Sequence, residues 1–270
     1  FGPSEDYGWW IDRTDLPEQL RTHVTIRNVW TSARNIVLRS GNPHNYLRMV
    51  EHVIALRLGM GVDDVVIGTN AGDPPLFERS SMDLVEAVAQ CGVVELEEPA
   101  RYVTVREPVT FGGSRGDFLT FLPPENGEKK LRLDVAIDFD SIIGKQRIVF
   151  DLTPKTFRQG AFARTNASYA QMMTVRTVGF LFADMRNLGY TPDNILIHGR
   201  DKFYGEPRLV CGGKALEPVW HRAALDLLAA LALIDAGRFV GRVVSYRAGH
   251  TLDVRAVASL YLNRLLTPLP

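Results

Sequence analysis

Residues 49–59 are mostly apolar, a pattern that predicts a buried helix ending at Gly59. Two adjacent ionisable side chains, Glu51 and His52, lie within this apolar segment. Burial of a carboxylate or an imidazole is costly unless each is paired, hydrogen-bonded or bound to a metal. The segment therefore predicts one of two arrangements. Either both side chains face water at a helix edge, or a metal-ligating histidine lies beside a glutamate that acts on an attacking water.

Short runs of alternating polar and apolar residues, rich in β-branched side chains, make up much of the remaining chain and predict strands. Further helices are expected at residues 82–91, 173–188, 220–234 and 253–265. The Pro- and Gly-containing segment 123–128 is the strongest linker signal. Because each side of it carries strands and at least two helices, we predict an α+β fold of two tandem similar domains, residues 1–126 and 127–270, each with a mostly antiparallel sheet.

Composition and charge exclude several classes of function. Lys plus Arg and Asp plus Glu number 31 each, so no net charge attracts a nucleic acid or an anionic membrane. No apolar run approaches the roughly 18 residues of a transmembrane helix. Cys91 and Cys211 are the only cysteines, which argues against a disulfide framework and suits a reducing compartment. Any bound metal must therefore rely on histidines and carboxylates.

Two further histidines lie in segments that can carry chemistry. His221 and Asp226 are five residues apart in a predicted helix, which places them about 140° apart on an ideal α-helix. A π-bulge would return them to a common face, and without one they form a solvent-facing pair. His250 follows Gly249 in a loop after a predicted strand, where either an ordinary loop residue or a catalytic one is expected.

One hydroxyl is a candidate for stabilising a developing negative charge. Thr177 lies in the segment Arg176-Thr177-Val178-Gly179, which could supply a hydroxyl and amide donors to an oxyanion or could simply cap a helix. Residues 165–168, in contrast, have loop character, and their side chains suggest no chemistry.

Several of these segments, in the same order along the chain, resemble motifs of the zinc-dependent UDP-3-O-acyl-N-acetylglucosamine deacetylases, which act in lipid A synthesis. Val50-Glu51-His52 and residues 59–64 resemble the family's VEH helix and the turn that follows it. Residues 176–180 resemble its A-R-T-F-G-F helix start. The other matching segments are 73–81, 138–146, 193–194, 221–226 and 247–252. The chain is thus identified as a divergent member of this family.

The resemblance implies a duplicated fold, with helices sandwiched between two outer sheets and the first domain lacking its first hairpin. The chain begins with Phe1 rather than Met, and we expect a trimmed N-terminus. The implied cofactor is Zn²⁺ and the implied substrate is a nucleotide sugar or acylated amino sugar. We expect a monomer in the cytoplasm or peripheral to the membrane, or in an organelle such as a mitochondrion or plastid if the source is eukaryotic.

The resemblance also implies roles for individual residues. The implied zinc ligands are His52, His221 and Asp226. The implied catalytic residues are Glu51 as general base, with Thr177 and protonated His250 stabilising the oxyanion and His250 protonating the leaving amine. The implied substrate-binding residues are Arg222, Val178 and Phe180.

The chain departs from the family pattern around these residues. The spacing from His221 to Asp226 is one residue longer than in the family. Ala229 and Ala230 stand where the family has a second Asp that orients the catalytic histidine, so we expect a lowered pKa for His250 if no other carboxylate replaces it. The alternative is therefore that the protein is a catalytically impaired or inactive family member. It would then act as a regulatory protein or as one that binds a nucleotide sugar or a lipid precursor.

Overall fold

The computed structural model describes residues 1–4, 6–18, 20–75, 77–178, 191 and 193–270. Within these residues helices and several small sheets are mixed, and the predicted α+β class is confirmed. The strands are β1 Trp9–Arg13, β2 Thr22–His23, β3 Val29–Thr31, β4 Val37–Arg39, β5 Tyr46–Leu47, β6 Val65–Thr69, β7 Tyr102–Val105, β8 Val109–Gly112, β9 Phe118–Leu122, β10 Leu131–Phe139, β11 Gly144–Asp151, β12 Thr165–Ser168, β13 Ile195–His198, β14 Val210–Cys211, β15 Lys214–Ala215, β16 Arg238–Phe239, β17 Gly241–Tyr246 and β18 Leu266–Leu269.

Several helices are short, and two groups of them follow one another directly along the chain. The helices are α1 Glu51–Ile54, α2 Leu56–Gly59, α3 Met82–Cys91, α4 Pro154–Ala161, α5 Tyr169–Val178, α6 Glu217–His221, α7 Leu228–Ala232 and α8 His250–Leu262. A π-helical segment, Arg222–Leu227, joins α6 to α7 and is called the π-turn below. No helix among the described residues is long and apolar enough to cross a membrane.

The largest sheet has the strand order β11-β10-β17-β9-β8. β10 and β17 are parallel, and the other neighbours are antiparallel. β9 alternates in burial, with Leu119 and Phe121 fully buried, as expected for a strand that packs one face on a core. Side chains of β11 alternate between half-buried and exposed, which is typical of an edge strand facing solvent.

This sheet crosses the predicted domain boundary. β8 and β9 precede residue 126, yet β9 pairs with β17 near the end of the chain. β7 likewise pairs with β16 and β18. The two predicted units therefore share sheets, and the division into residues 1–126 and 127–270 stays a prediction.

One hydrophobic cluster joins strands of the first and second halves to the central helices. Trp9 of β1, Phe121 of β9 and Leu228 of α7 all belong to it. α4 packs directly on the π-turn, because Gly160 has no side chain where a Cβ would lie 2.3 Å from the Cβ of Ala224. Any larger residue at position 160 would push α4 and the π-turn apart.

Three predicted elements differ in the structure. The helix expected at residues 49–59 is divided into α1 and α2 at Ala55 alone, and Ala55 itself keeps helical dihedral angles (φ −58°, ψ −26°). His250 is the first residue of α8 rather than a loop residue, because the helix begins three residues earlier than its apolar pattern indicates. Residues 165–168 form strand β12, which pairs in parallel with β13. The predicted helix at 173–188 is described only as far as Val178, and residues 179–188 lie outside the described part of the chain.

Candidate active site

Side chains from three parts of the chain meet where α1, the π-turn and α8 come together. The Nε2 atoms of His52 and His221 are 3.4 Å apart. Oδ1 of Asp226 is 3.4 Å from Nδ1 of His221. Nε2 of His250 is 3.7 Å from Oε1 of Glu51 and 3.7 Å from Oδ1 of Asp226. The structure thus gathers five of the residues that the sequence singled out into one cluster, called the histidine cluster below.

The π-turn explains how His221 and Asp226 can meet. His221 is the last residue of α6, and the π-turn that follows accommodates one residue more than an α-helical turn. Asp226, five residues further on, therefore returns to the face of the helix that carries His221. Of the two arrangements that the spacing of these residues left open, the structure has the π-bulge.

Ser80 fixes the orientation and the tautomer of His52. Its Oγ donates to the backbone carbonyl of Ala163 at 2.7 Å, and it lies 3.1 Å from Nδ1 of His52. Because the Ser80 hydroxyl has a single hydrogen, which goes to the carbonyl, Nδ1 of His52 must be the donor in the second contact. Nε2 of a neutral His52 therefore carries the lone pair and faces His221.

The electrostatics keep His52 neutral and Asp226 charged. Burial and the neighbouring His221 imidazole lower the pKa of His52 to about 3. Burial acts to raise the pKa of Asp226, but the imidazoles of His221 and His250 outweigh it and hold that pKa well below its usual range. Oδ1 of Asp226 is buried without a hydrogen-bond partner among the described residues.

Glu51 and His250 form a coupled carboxylate–imidazole pair. Burial raises the pKa of Glu51, and its Oε1 accepts a hydrogen bond from the backbone N–H of Ile36. Burial acts to lower the pKa of His250, but the carboxylates of Asp226, Glu51 and Asp253 outweigh it and raise that pKa. The condition for a lowered His250 pKa is therefore not met, because Asp226, Glu51 and Asp253 supply the carboxylates that Ala229 and Ala230 do not.

Thr165 is a site residue that the sequence analysis missed. Its Oγ1 is 2.9 Å from Nε2 of His52 and 3.1 Å from Nε2 of His221, so the hydroxyl touches both facing nitrogens. The signal for it was Ala163-Arg164-Thr165, which carries the first three letters of the A-R-T-F-G-F motif that we placed on residues 176–180.

Thr177 uses its hydroxyl within its own helix. The side chain is exposed, and Oγ1 lies within hydrogen-bond distance of the backbone carbonyls of Met173, at 2.9 Å, and Thr174, at 3.1 Å, which share its single hydrogen. Neither contact involves the histidine cluster. Val178 ends α5 and its side chain lies outside the described part of the chain, as does the whole of Phe180.

Arg222 points into the protein interior. Its side chain is 6% exposed, and its guanidinium donates to the carbonyl of Ala248 and to the carboxylate of Asp253. These donors are therefore engaged within the protein rather than open to a substrate.

The donor types at the cluster fit a zinc ion. Two nitrogen ligands, each about 2.0–2.1 Å from a tetrahedral ion, would lie roughly 3.4 Å apart, close to the separation of the two Nε2 atoms. The carboxylate of Asp226, whose lowered pKa keeps it ionised, lies beside them. Among the described residues, no three His, Cys, Asp or Glu side chains are already arranged around one point, since Asp226 contacts the far nitrogen of His221.

Comparisons with known proteins agree with the motifs. A model of the UDP-3-O-acyl N-acetylglycosamine deacetylase family matches residues 2–262. The chain is similar to the UDP-3-O-acyl-N-acetylglucosamine deacetylase of Bdellovibrio bacteriovorus, with 29% identity over 258 residues that cover 95% of this chain and 80% of that protein. It is 27% identical over 264 residues to proteins of the same name from Brucella ovis and Brucella canis, covering 94% of this chain and 84% of each.

Proposed function

The chain belongs to the UDP-3-O-acyl N-acetylglycosamine deacetylase family, and we propose that it hydrolyses the acetamide of a UDP-3-O-acyl-N-acetylglucosamine-like substrate in lipid A synthesis. The observation that carries this proposal is the histidine cluster itself. Two imidazole nitrogens face each other at 3.4 Å beside a buried glutamate and a histidine whose pKa is raised. This combination supplies ligands, a base and an acid within one site.

The proposed metal ligands are His52, His221 and Asp226. Two imidazoles and one carboxylate leave a coordination position open, which is the pattern of a catalytic rather than a structural zinc site. Zn²⁺ bound there would act as a Lewis acid on the acetamide carbonyl and would make an attacking water more acidic. Ser80 supports this role, because its hydrogen bond leaves Nε2 of His52 free to bind a cation.

Glu51 is the proposed general base. Its carboxylate is held by the N–H of Ile36, and burial raises its pKa above that of an ordinary glutamate. A carboxylate with a raised pKa is a better proton acceptor at neutral pH. Glu51 would take the proton from the water that attacks the carbonyl carbon.

His250 and Thr165 are the proposed partners of the reacting oxygen and nitrogen. His250 lies between two carboxylates that favour its protonated form, so it can donate a proton to the leaving amine. The hydroxyl of Thr165 touches both facing nitrogens, where it can donate to the developing oxyanion. Thr165 therefore replaces Thr177 in this role.

The proposal predicts separable effects on metal and turnover. Replacement of His52 by Ala should remove both bound zinc and acetate release, because a ligand is lost. Replacement of Glu51 by Gln should leave the zinc content unchanged and lower kcat by about 100-fold or more, because the base is lost. Elemental analysis and an acetate-release assay with UDP-3-O-acyl-N-acetylglucosamine measure the two quantities.

An exposed histidine provides the matched control. His44→Ala should change neither quantity, because His44 is exposed and outside the cluster. Wild-type turnover in Glu51→Gln would contradict the general-base role. Wild-type protein that binds no zinc when zinc is supplied would contradict the metal assignment.

A further inference from the structure

The guanidinium of Arg222 ties the π-turn to the segment that carries His250. Its Nε donates to the backbone carbonyl of Ala248 at 2.8 Å. Its Nη2 donates to Oδ1 of Asp253 at 2.6 Å and contacts Oγ of Ser245 at 3.3 Å. One side chain of the π-turn therefore bonds to the end of β17, the connection after it and the first turn of α8.

These bonds are made in a fully buried environment. Arg222 is 6% exposed, Ser245 1% and Asp253 0%. A buried ion pair adds little net stability over a hydrophobic pair of similar volume, because both charges lose their hydration. The planar guanidinium, however, restricts where its acceptors can lie, because its donors point in fixed directions. The placement of the groups that Arg222 and Asp253 hold together is therefore a better guide to the role of this pair than its contribution to stability.

The acceptors of Arg222 lie on both sides of His250. Ala248 is two residues before it, and Asp253 is three residues after it, one turn along α8. Arg222 itself directly follows His221. The chain enters this segment through Arg247, a non-glycine residue at φ 54°, which is a conformation that its surroundings must hold in place.

We propose that Arg222 and Asp253 are positioning residues for His250, a proposal that rests on the proposed function of His250. Their ion pair fixes the first turn of α8 against the π-turn and so keeps the imidazole within 3.7 Å of Glu51 and Asp226. Ala229 and Ala230, which by the resemblance stand where the family has an orienting carboxylate, are fully buried and have no polar side chains. In this chain the Arg222–Asp253 ion pair orients His250 by fixing the backbone of the first turn of α8.

The test removes both charges together. Arg222→Met alone would leave Asp253 as an unpaired buried charge and could prevent folding. The double variant Arg222→Met/Asp253→Asn keeps similar volumes without a buried charge. We expect it to fold and to bind zinc as the wild type does, with a KM close to wild type and a kcat lower by about 10- to 100-fold, because the acid is misplaced.

Two further variants sharpen the comparison. Arg222→Lys keeps the charge but cannot reach all three acceptors at once, so its kcat should fall between those of the wild type and the double variant. Arg238→Met/Asp63→Asn removes another Arg–Asp pair with two hydrogen bonds, at 2.6 and 2.7 Å, outside the histidine cluster. That control should lose stability while kcat remains at the wild-type value.

Hydrogen exchange provides a readout that does not depend on activity. Backbone amides at residues 249–254 should exchange about 10-fold faster in the Arg222→Met/Asp253→Asn variant, and at the wild-type rate in the Arg238→Met/Asp63→Asn control. A double variant with wild-type kcat and wild-type exchange at these amides would overturn the proposal. If the wild-type protein releases no acetate, the proposed function fails, and hydrogen exchange alone decides whether Arg222 holds the His250 segment.

Discussion

At the scale of single residues, Ser80 sets the tautomer of His52 and so determines which of its ring nitrogens can bind a cation. Because Ser80 accepts from Nδ1 of His52, the lone pair of that ring lies on Nε2. Nδ1 of His221 faces Oδ1 of Asp226, which favours the same tautomer in the second ring. Two electron-rich nitrogens then face each other, and a hydroxyl or a cation between them relieves the repulsion. Thr165 supplies the hydroxyl in the structure, and zinc is the proposed cation.

The two threonines that compete for the oxyanion role can be separated by substitution. Thr165→Val should lower kcat by about 100-fold, because one donor to the oxyanion is lost while the volume is kept. Thr177→Val is the matched control and should leave kcat near wild type, since its hydroxyl bonds only to carbonyls of α5. Acetate release measured for both variants decides the matter, and a large effect in Thr177→Val alone would restore the role first expected for Thr177.

At the scale of elements, the spacing between candidate site residues was more informative than local pattern. The five-residue interval between His221 and Asp226 left either a π-bulge or a solvent-facing pair open, and the structure has the π-bulge. The helix at residues 49–59 was located correctly, and its one-residue interruption at Ala55 left no trace in the apolar pattern. Thr165 was missed because residues 165–168 have no clear local preference for a strand. They form one only by pairing with β13, 30 residues further along the chain. Tertiary pairing of this kind cannot be predicted from local sequence.

The contact between α4 and the π-turn gives a prediction at this scale. Gly160→Ala should lower the free energy of unfolding by about 1–3 kcal/mol, because the new Cβ would meet the Cβ of Ala224 at 2.3 Å. Gly112→Ala in β8 is the control, since its Cβ would have only an ordinary contact at 3.9 Å. Urea unfolding measures both variants. Equal stability of Gly160→Ala and wild type would show that α4 can move away from the π-turn at no cost.

At the scale of the whole molecule, one carboxylate links three strands of the large sheet. Asp134 of β10 accepts two hydrogen bonds from Arg147 of β11, both at 2.8 Å, and one from Arg242 of β17. These bonds, that from Arg147 above all, lower the pKa of Asp134. The sequence singled out five residues of the histidine cluster, whereas this cross-strand pairing could not be predicted, because it depends on which strands become neighbours.

The lowered pKa of Asp134 makes part of the stability dependent on pH. A carboxyl whose pKa is lower in the folded than in the unfolded state stabilises the fold above its unfolded pKa of about 3.9, and that contribution is lost as the pH falls through the folded pKa. At pH 7 the free energy of unfolding of Asp134→Asn should therefore be about 1.5–3 kcal/mol lower than that of the wild type. The difference should be smaller when the pH is below about 3.9. Thermal unfolding at both pH values measures this.

Asp140, an exposed aspartate directly after β10, serves as the control. Asp140→Asn should have wild-type stability at pH 7, because Asp140 is exposed. A difference between Asp134→Asn and wild type that stays constant as the pH falls would contradict an electrostatic origin.

The position of β17 in the large sheet has a consequence for how the chain reaches its folded state. β17 lies between β10 and β9, so the β8–β9 and β10–β11 hairpins have no contact with each other in that sheet until residues 241–246 enter between them. Such pairing of distant segments slows folding, since a long loop must close before any contact compensates for it. During synthesis the edges of β9 and β10 that pair with β17 therefore stay unpaired until β17 has left the ribosome. We expect the nascent chain to be most prone to aggregation in that interval.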